Sequence, residues 1–186
     1  MITLLIFIGI LLLLIIWMIA AYNKFIKFKN RMKEAWSMID VFLKKRHDLV
    51  PNLVEIVKGY AAHEKQTFED VTRLRSEAMQ AGNQESRMQS ETGLGKALGK
   101  LLVVAEKYPE LKANQNFLEL QRQLSEIENE LSSARRYYNG TVRENNIYAE
   151  SFPSNIIAGM FNFPEGQFFE INPAEKEVSS INFRKE

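Results

Sequence analysis

Apolar residues follow two unlike patterns along this chain. From Ile2 to Ala21 they form an unbroken run of twenty with no charged side chain, in which Thr3 carries the only hydroxyl. At about 1.5 Å per residue a helix of that run covers roughly 30 Å, the hydrocarbon thickness of a bilayer. From Phe25 the apolar positions alternate by three and four instead, at 25, 28, 32, 35 or 36, 39, and 42 or 43, which is one stripe of an amphipathic helix. Neither Gly nor Pro occurs between Lys24 and Val50, so run and stripe are expected to join in a single rod of about 45 residues, roughly 70 Å long. Pro51 is the first break, and a turn or kink is expected near 48–51 because the residue before proline avoids the α region.

Three further stripes follow. Leu53, Val57, Tyr60, Ala61, Phe68, Val71, Leu74 and Ala78 mark a second helix ending before Gly82. Residues 82–93 have no period and are expected to form a mobile loop. A third helix carries Leu94, Ala97, Leu98, Leu101, Leu102, Val104 and Ala105 and should fray near Tyr108 and Pro109. Its Gly95 and Gly99 each lower helix propensity by about 1 kcal/mol relative to alanine, so it depends on packing. The fourth stripe is the longest, from Phe117 through Leu120, Leu124, Ile127, Leu131, Ala134 and Tyr138 to Thr141, and on through Asn145 toward Tyr148. Asn116 and Glu119 have capping-box spacing at its start, and Pro153 marks its end. The only segment resembling a strand is Gln167 to Ile171. The expected fold is therefore all-α: one N-terminal transmembrane helix (1–22), then an antiparallel bundle of about four helices (23–151) with long first and last members, then an aromatic-rich segment (152–186).

Charge sharpens the first pattern. The 24 Lys and Arg and 23 Asp and Glu give a net charge of +1, and all of them lie at Lys24 or beyond. A buried core helix is rarely apolar all round over twenty residues, and a cleaved leader needs a basic stretch before its apolar run. An uncleaved span is therefore expected. Lys24, Lys27, Lys29, Arg31 and Lys33 follow it before the first acid, Glu34. Such a cluster is retained on the cytoplasmic side, which places the N-terminus outside and the bundle in the cytoplasm of a single-pass cell-membrane protein. The same five cations can meet anionic headgroups, at about 1 kcal/mol each near the surface. Near-zero net charge gives no general attraction to nucleic acid.

Catalytic patterns break off before completion. His63-Glu64 opens like a zinc-peptidase helix, but Thr67 stands where the second histidine belongs. Neither His47 nor His63 has a glutamate three residues earlier, as a di-iron bundle requires, and both are expected on a helix surface or in a turn. Gly93, Gly95 and Gly99 miss the dinucleotide-loop spacing by one residue, and no strand precedes them. Arg135-Arg136-Tyr137-Tyr138 could hold a phosphate or single-stranded nucleic acid, but Tyr138 falls on the stripe, so solvated or paired arginines beside a core tyrosine are expected. The expectation is no catalytic residue, metal, cofactor or small-molecule substrate. Phe152, Phe161, Phe163, Phe168 and Phe169 crowd the last segment between prolines and glycines. They are candidate interaction residues, with three fates open: packing on the bundle, docking on a partner, or lying at the membrane interface.

Several stretches carry a resemblance: Glu34-Ala-Trp36 with Ile39-Asp40, Lys45-Arg46-His47-Asp48 with Pro51-Asn52-Leu53, and Lys58-Gly59-Tyr60 with His63-Glu64. Tyr108-Pro109, Ala134-Arg135-Arg136-Tyr137-Tyr138-Asn139 and Ser151-Phe152-Pro153-Ser154-Asn155-Ile156-Ile157-Ala158-Gly159 continue it in the same order. Together they resemble the LemA family over nearly the whole chain, apart from residues 82–93 and the end after Asn172. The resemblance implies a bacterial single-span membrane protein with a cytoplasmic helical bundle, and a family branch associated with magnetosome membranes; it implies no reaction. The expected function is a non-enzymatic, membrane-tethered scaffold acting through unknown protein partners or self-association, since long stripes can join chains as well as helices. An accessory subunit of a membrane enzyme such as a peptidase, docked by the aromatic segment, is the alternative. A hydrolase with an unrecognised site is the third reading.

Overall fold

The computed structural model describes residues 1–169. It contains α1 (Ile2–Tyr60), α2 (Lys65–Gln80), α3 (Gln84–Ala105), α4 (Pro109–Lys112), α5 (Gln115–Glu150) and α6 (Ser154–Met160), with no strand among the described residues. The fold is all-α, as the stripes predict. Residues 167–169 are not strand, and the rest of the expected strand lies outside the described residues.

Two boundaries differ from expectation. Pro51 does not end a helix; α1 runs through it for 59 residues. A proline inside a helix leaves the carbonyl four residues back without its partner. Here that carbonyl belongs to His47, and Arg75 on α2 donates to it through Nε at 2.8 Å. The bend comes at Ala61–Glu64 instead, where neither Gly nor Pro stands and where Ala61 is fully buried. Packing sets this turn, so the chain carries no local signal for it. The second stripe is accordingly split, with Leu53, Val57 and Tyr60 on α1 and Phe68, Val71 and Ala78 on α2.

The expected loop at 82–93 is largely helix. Asn83 caps α3, its Oδ1 accepting from the Ser86 N–H at 2.8 Å while the Ser86 hydroxyl faces the Asn83 N–H. This is a capping box, and it overrides the lack of apolar period in the first turns. Asn114 rather than Asn116 caps α5, accepting from the N–H groups of Asn116 and Phe117 at 2.9 and 3.1 Å.

The chain forms two compact units. Residues 42–130 make one, which also takes in Phe169. Its core joins Val50, Leu53 and Val57 of α1 to Phe68 and Val71 of α2, Leu94, Leu98 and Leu101 of α3, Leu111 of α4, and Phe117 and Leu124 of α5. Gly93 lets α2 approach α3, since a Cβ there would sit 3.3 Å from Leu74 Cδ2. The three glycines of this stretch thus lie inside a packed helix, not in a phosphate loop.

Residues 1–41 and 131–168 make the other unit. The pairs Phe25 with Tyr148, Arg31 with Glu144 and Trp36 with Tyr138 show α1 and α5 running antiparallel within it. The segment after α6 then returns along α5, fastened by polar contacts. Tyr138 donates its hydroxyl to Gln167 O at 2.9 Å, and Asn146 both donates to Gly166 O and accepts from Gly166 N. A Cβ at Gly166 would come 2.9 Å from Met32 Sδ, so glycine permits this close passage.

Candidate functional site

Buried charge concentrates in the 42–130 unit. On α1 the buried stripe reads Ala35, Ile39, Leu43, Arg46, Val50, Leu53 and Val57, so a cation occupies a position where helical period calls for an apolar side chain. On α3 the stripe Leu94, Leu98, Leu101 and Ala105 extends one turn back to Glu91. The two stripes meet. Arg46, 1% exposed, pairs through Nη2 with Glu91 Oε2 and also donates to the Glu91 backbone carbonyl at 3.2 Å. Its Nη1 reaches the half-exposed Glu128 of α5 at 2.8 Å. Gly95, one helical turn beyond Glu91, lies beside the guanidinium, where a Cβ would make only an ordinary contact 3.8 Å from Nη1.

His47 completes the cluster from the other side of Glu91. Its Nε2 lies 2.9 Å from Oε1, a close contact without good hydrogen-bond alignment. The expectation of a surface or turn histidine is therefore wrong for His47, which is buried, while His63 sits exposed in the turn before α2. Burial alone pushes the Glu91 carboxyl up, but the facing imidazole and the Arg46 guanidinium outweigh it and hold the group below its ordinary range. Glu91 is thus an anion at neutral pH. The Arg46 guanidinium ties α1 to Glu91 of α3 and to Glu128 of α5, and the geometry is that of an interior clamp. No group of three or more potential metal-ligating side chains occurs among the described residues.

Asp48 lies within the uninterrupted α1, one turn before Pro51. It is exposed and bound to Lys44 at 2.8 Å, which lowers its carboxyl below the usual value. Beside it runs an open groove of about 660 Å³ between α1 and α5, lined by apolar Phe42, Leu49, Leu120 and Ile127 together with Glu126 and Glu130.

The other candidate residues lie in the 1–41 and 131–168 unit, Phe169 excepted. Lys24, Lys27, Lys29, Arg31 and Lys33 are all exposed. Lys24 Nζ stands 4.3 Å from the Tyr148 ring centroid, and Arg31 pairs with Glu144 at 3.8 Å. Phe163 stacks on Phe25 at 4.6 Å between ring centroids, and Phe161 meets Tyr22 edge-on at 4.9 Å. Phe152 and Phe168 are exposed and Phe169 is buried. Ser154, the first residue of α6, sends its hydroxyl back to the carbonyls of Tyr148 and Ser151. Tyr138 is buried as expected, and Arg136 binds Ser132 and Ser133 on its own helix.

Among the described residues one helix, α1, holds a stretch long and apolar enough to cross a membrane. The family model described as LemA family matches residues 35–183. Two magnetosome proteins of Paramagnetospirillum magneticum, MamQ 1 and MamQ 2, are each 24% identical over 179 residues, covering 82% of this chain. The chain spans 66% of the length of these relatives. Protein LemA of Metamycoplasma hominis is 24% identical over 163 residues, covering 86% of this chain and 74% of its own.

Proposed function

The chain belongs to the LemA family, and from that premise we propose that it is a membrane-tethered helical scaffold that recruits or organises other proteins by contact and makes or breaks no bonds itself. The observation that carries this reading is the division of labour along α1. Residues 2–16, its first fifteen, are all exposed and apolar apart from Thr3 and Gly9, whereas from Leu43 onward the same helix supplies core side chains and Arg46 to the 42–130 unit. A continuous helix of this kind can tether a folded unit to a membrane.

The chemistry of the bundle supports the non-enzymatic part. Its most buried charges are spent on one another, with Glu91 shared between Arg46 and His47. The groove beside Phe42 and Ile127 is the kind of partly apolar surface that another helix or a second copy can enter. The five exposed cations after the run support an orientation with the N-terminus outside and the bundle in the cytoplasm.

Particle size in a mild detergent tests the proposal. An oligomer or a co-purifying protein is expected, and a strictly monomeric particle without a partner rejects it. Orientation is tested separately with Asn83→Cys in a chain that has no native cysteine. An impermeant thiol reagent should label it only after cells are broken, and labelling in intact cells overturns the orientation.

A further inference from the structure

We propose that α6, with Phe152 before it, is a second membrane-contact element: its Ile156 and Met160 face enters the headgroup and acyl boundary beside the span. This rests on the reading of Ile2–Ala21 as a membrane span, and it adds a lipid-binding surface distant in sequence from that span.

Depth is set by what α6 touches. Ile157 and Ala158 pack against Ala21 and Phe25, and Trp17 and Met18 join the same cluster. Ala21 ends the apolar run that starts at Ile2, so Trp17 and Met18 lie about one helical turn inside it and Phe25 about one turn beyond. The α6 helix is therefore fixed across the level where the span leaves the hydrocarbon. The fixed rings share this level: Phe163 stacks on Phe25 and Phe161 lies against Tyr22.

Among the described residues, nothing covers the outward face of α6. Ser154, Ile157 and Ala158 turn inward, whereas Ile156 and Met160, four residues apart and so on one face, are 51% and 62% exposed. Phe152, one turn earlier, is 81% exposed. A helix apolar on both faces needs an apolar environment on both. Composition agrees, because residues 151–164 contain no charged side chain and are bracketed by Glu150 and Glu165. Lys24, placed over the Tyr148 ring next to this cluster, supplies the cation that an anionic headgroup would meet. A lipid surface satisfies all of these features together.

The absence of native cysteine makes the test direct. The full chain is reconstituted in vesicles of phosphatidylcholine and phosphatidylglycerol. Single variants Ile156→Cys, Met160→Cys, Leu11→Cys and Met79→Cys each carry a small environment-sensitive fluorophore, and the first two replace exposed side chains. Lipids with a quencher high on the acyl chain should remove about half of the emission at 156 and 160, as expected for a face roughly 5–10 Å into the boundary. Leu11 should respond to a deep quencher and Met79 to neither. Emission at 156 and 160 that behaves like Met79 overturns the proposal. Shielding from both lipid and aqueous quenchers also overturns it, by placing a second copy or another protein on α6. If Leu11 escapes the deep quencher, the span reading fails and this proposal with it; if Leu11 is quenched while 156 and 160 are not, the proposal alone fails.

Discussion

The two units of this chain share the helices α1 and α5, yet different forces hold them. In residues 1–41 with 131–168, rings and amides do the work: Phe163 on Phe25, Trp36 against Tyr138, and Asn146 exchanging hydrogen bonds with Gly166. In residues 42–130, aliphatic packing surrounds a clamp of buried charge centred on Glu91. The contrast is informative because apolar packing is tolerant of exchange while a buried ion cluster is not. Volume-conserving swaps in a core cost little, whereas one unpaired buried charge is among the largest single-residue penalties known. The first unit should therefore degrade gradually under mutation, and the second should fail abruptly at a few positions.

The largest effect is expected from breaking the clamp on one side only. Glu91→Ala leaves Arg46 in the interior with Glu128 as its one remaining carboxylate partner in the clamp and should cost about 3–5 kcal/mol, read by urea titration followed by circular dichroism. Arg46→Met with Glu91→Leu removes both charges and should recover most of that loss. A double variant as unstable as the single one would mean that the charges themselves are needed. Acid tests the same group. Its carboxyl lies below the ordinary 4.5 in the folded chain, so its stabilisation is complete above that unfolded value and is lost as pH falls through the lower folded one. The melting temperature should fall as pH drops below 4.5, and less steeply in Glu91→Gln.

Next in size is the repaired proline. Arg75→Ala strands the His47 carbonyl and should cost about 1–3 kcal/mol, while the same change in a Pro51→Ala background should cost less because a backbone N–H can then bond that carbonyl. In the unit of rings and amides, Tyr138→Phe removes one hydrogen bond to Gln167 and should cost about 0.5–1.5 kcal/mol by the same titration. The smallest effect belongs to the surface pairs. Glu119 is held at about 2 by Arg122 and Gln123, but it is solvent-exposed, so Glu119→Gln should leave the unfolding midpoint unchanged even though its titration is readily seen by NMR.

The same contrast governs what could be read from the chain. Stripes are legible because apolar period is a local property; the uncharged run, the long α5 and the core positions Phe25, Ile39, Leu53, Phe117 and Tyr138 all follow from it. The clamp was hidden because Glu91 lies in a polar stretch without period, whose helix is started by Asn83 and Ser86. A signal did exist: Arg46 and Glu91 fall on the extended stripes of α1 and α3, one cation and one anion at positions of apolar phase. Pro51 misled for a related reason. The rule that proline breaks a helix assumes an orphaned carbonyl, and Arg75, distant in sequence, removes the orphan. The extended segment on α5 was invisible because Asn145, Asn146 and Gly166 bind through side-chain amides and close backbone approach, which have no periodicity.

The central claim is that the protein acts by contact at a membrane. Photo-cross-linking in intact cells, with a photoreactive residue at Ile127 in the groove and the products separated into membrane and soluble fractions, tests it most directly. Discrete heavier adducts in the membrane fraction, identified by mass spectrometry as a second copy or another protein, are the predicted result. A chain that appears in the soluble fraction and yields no adduct would contradict the account.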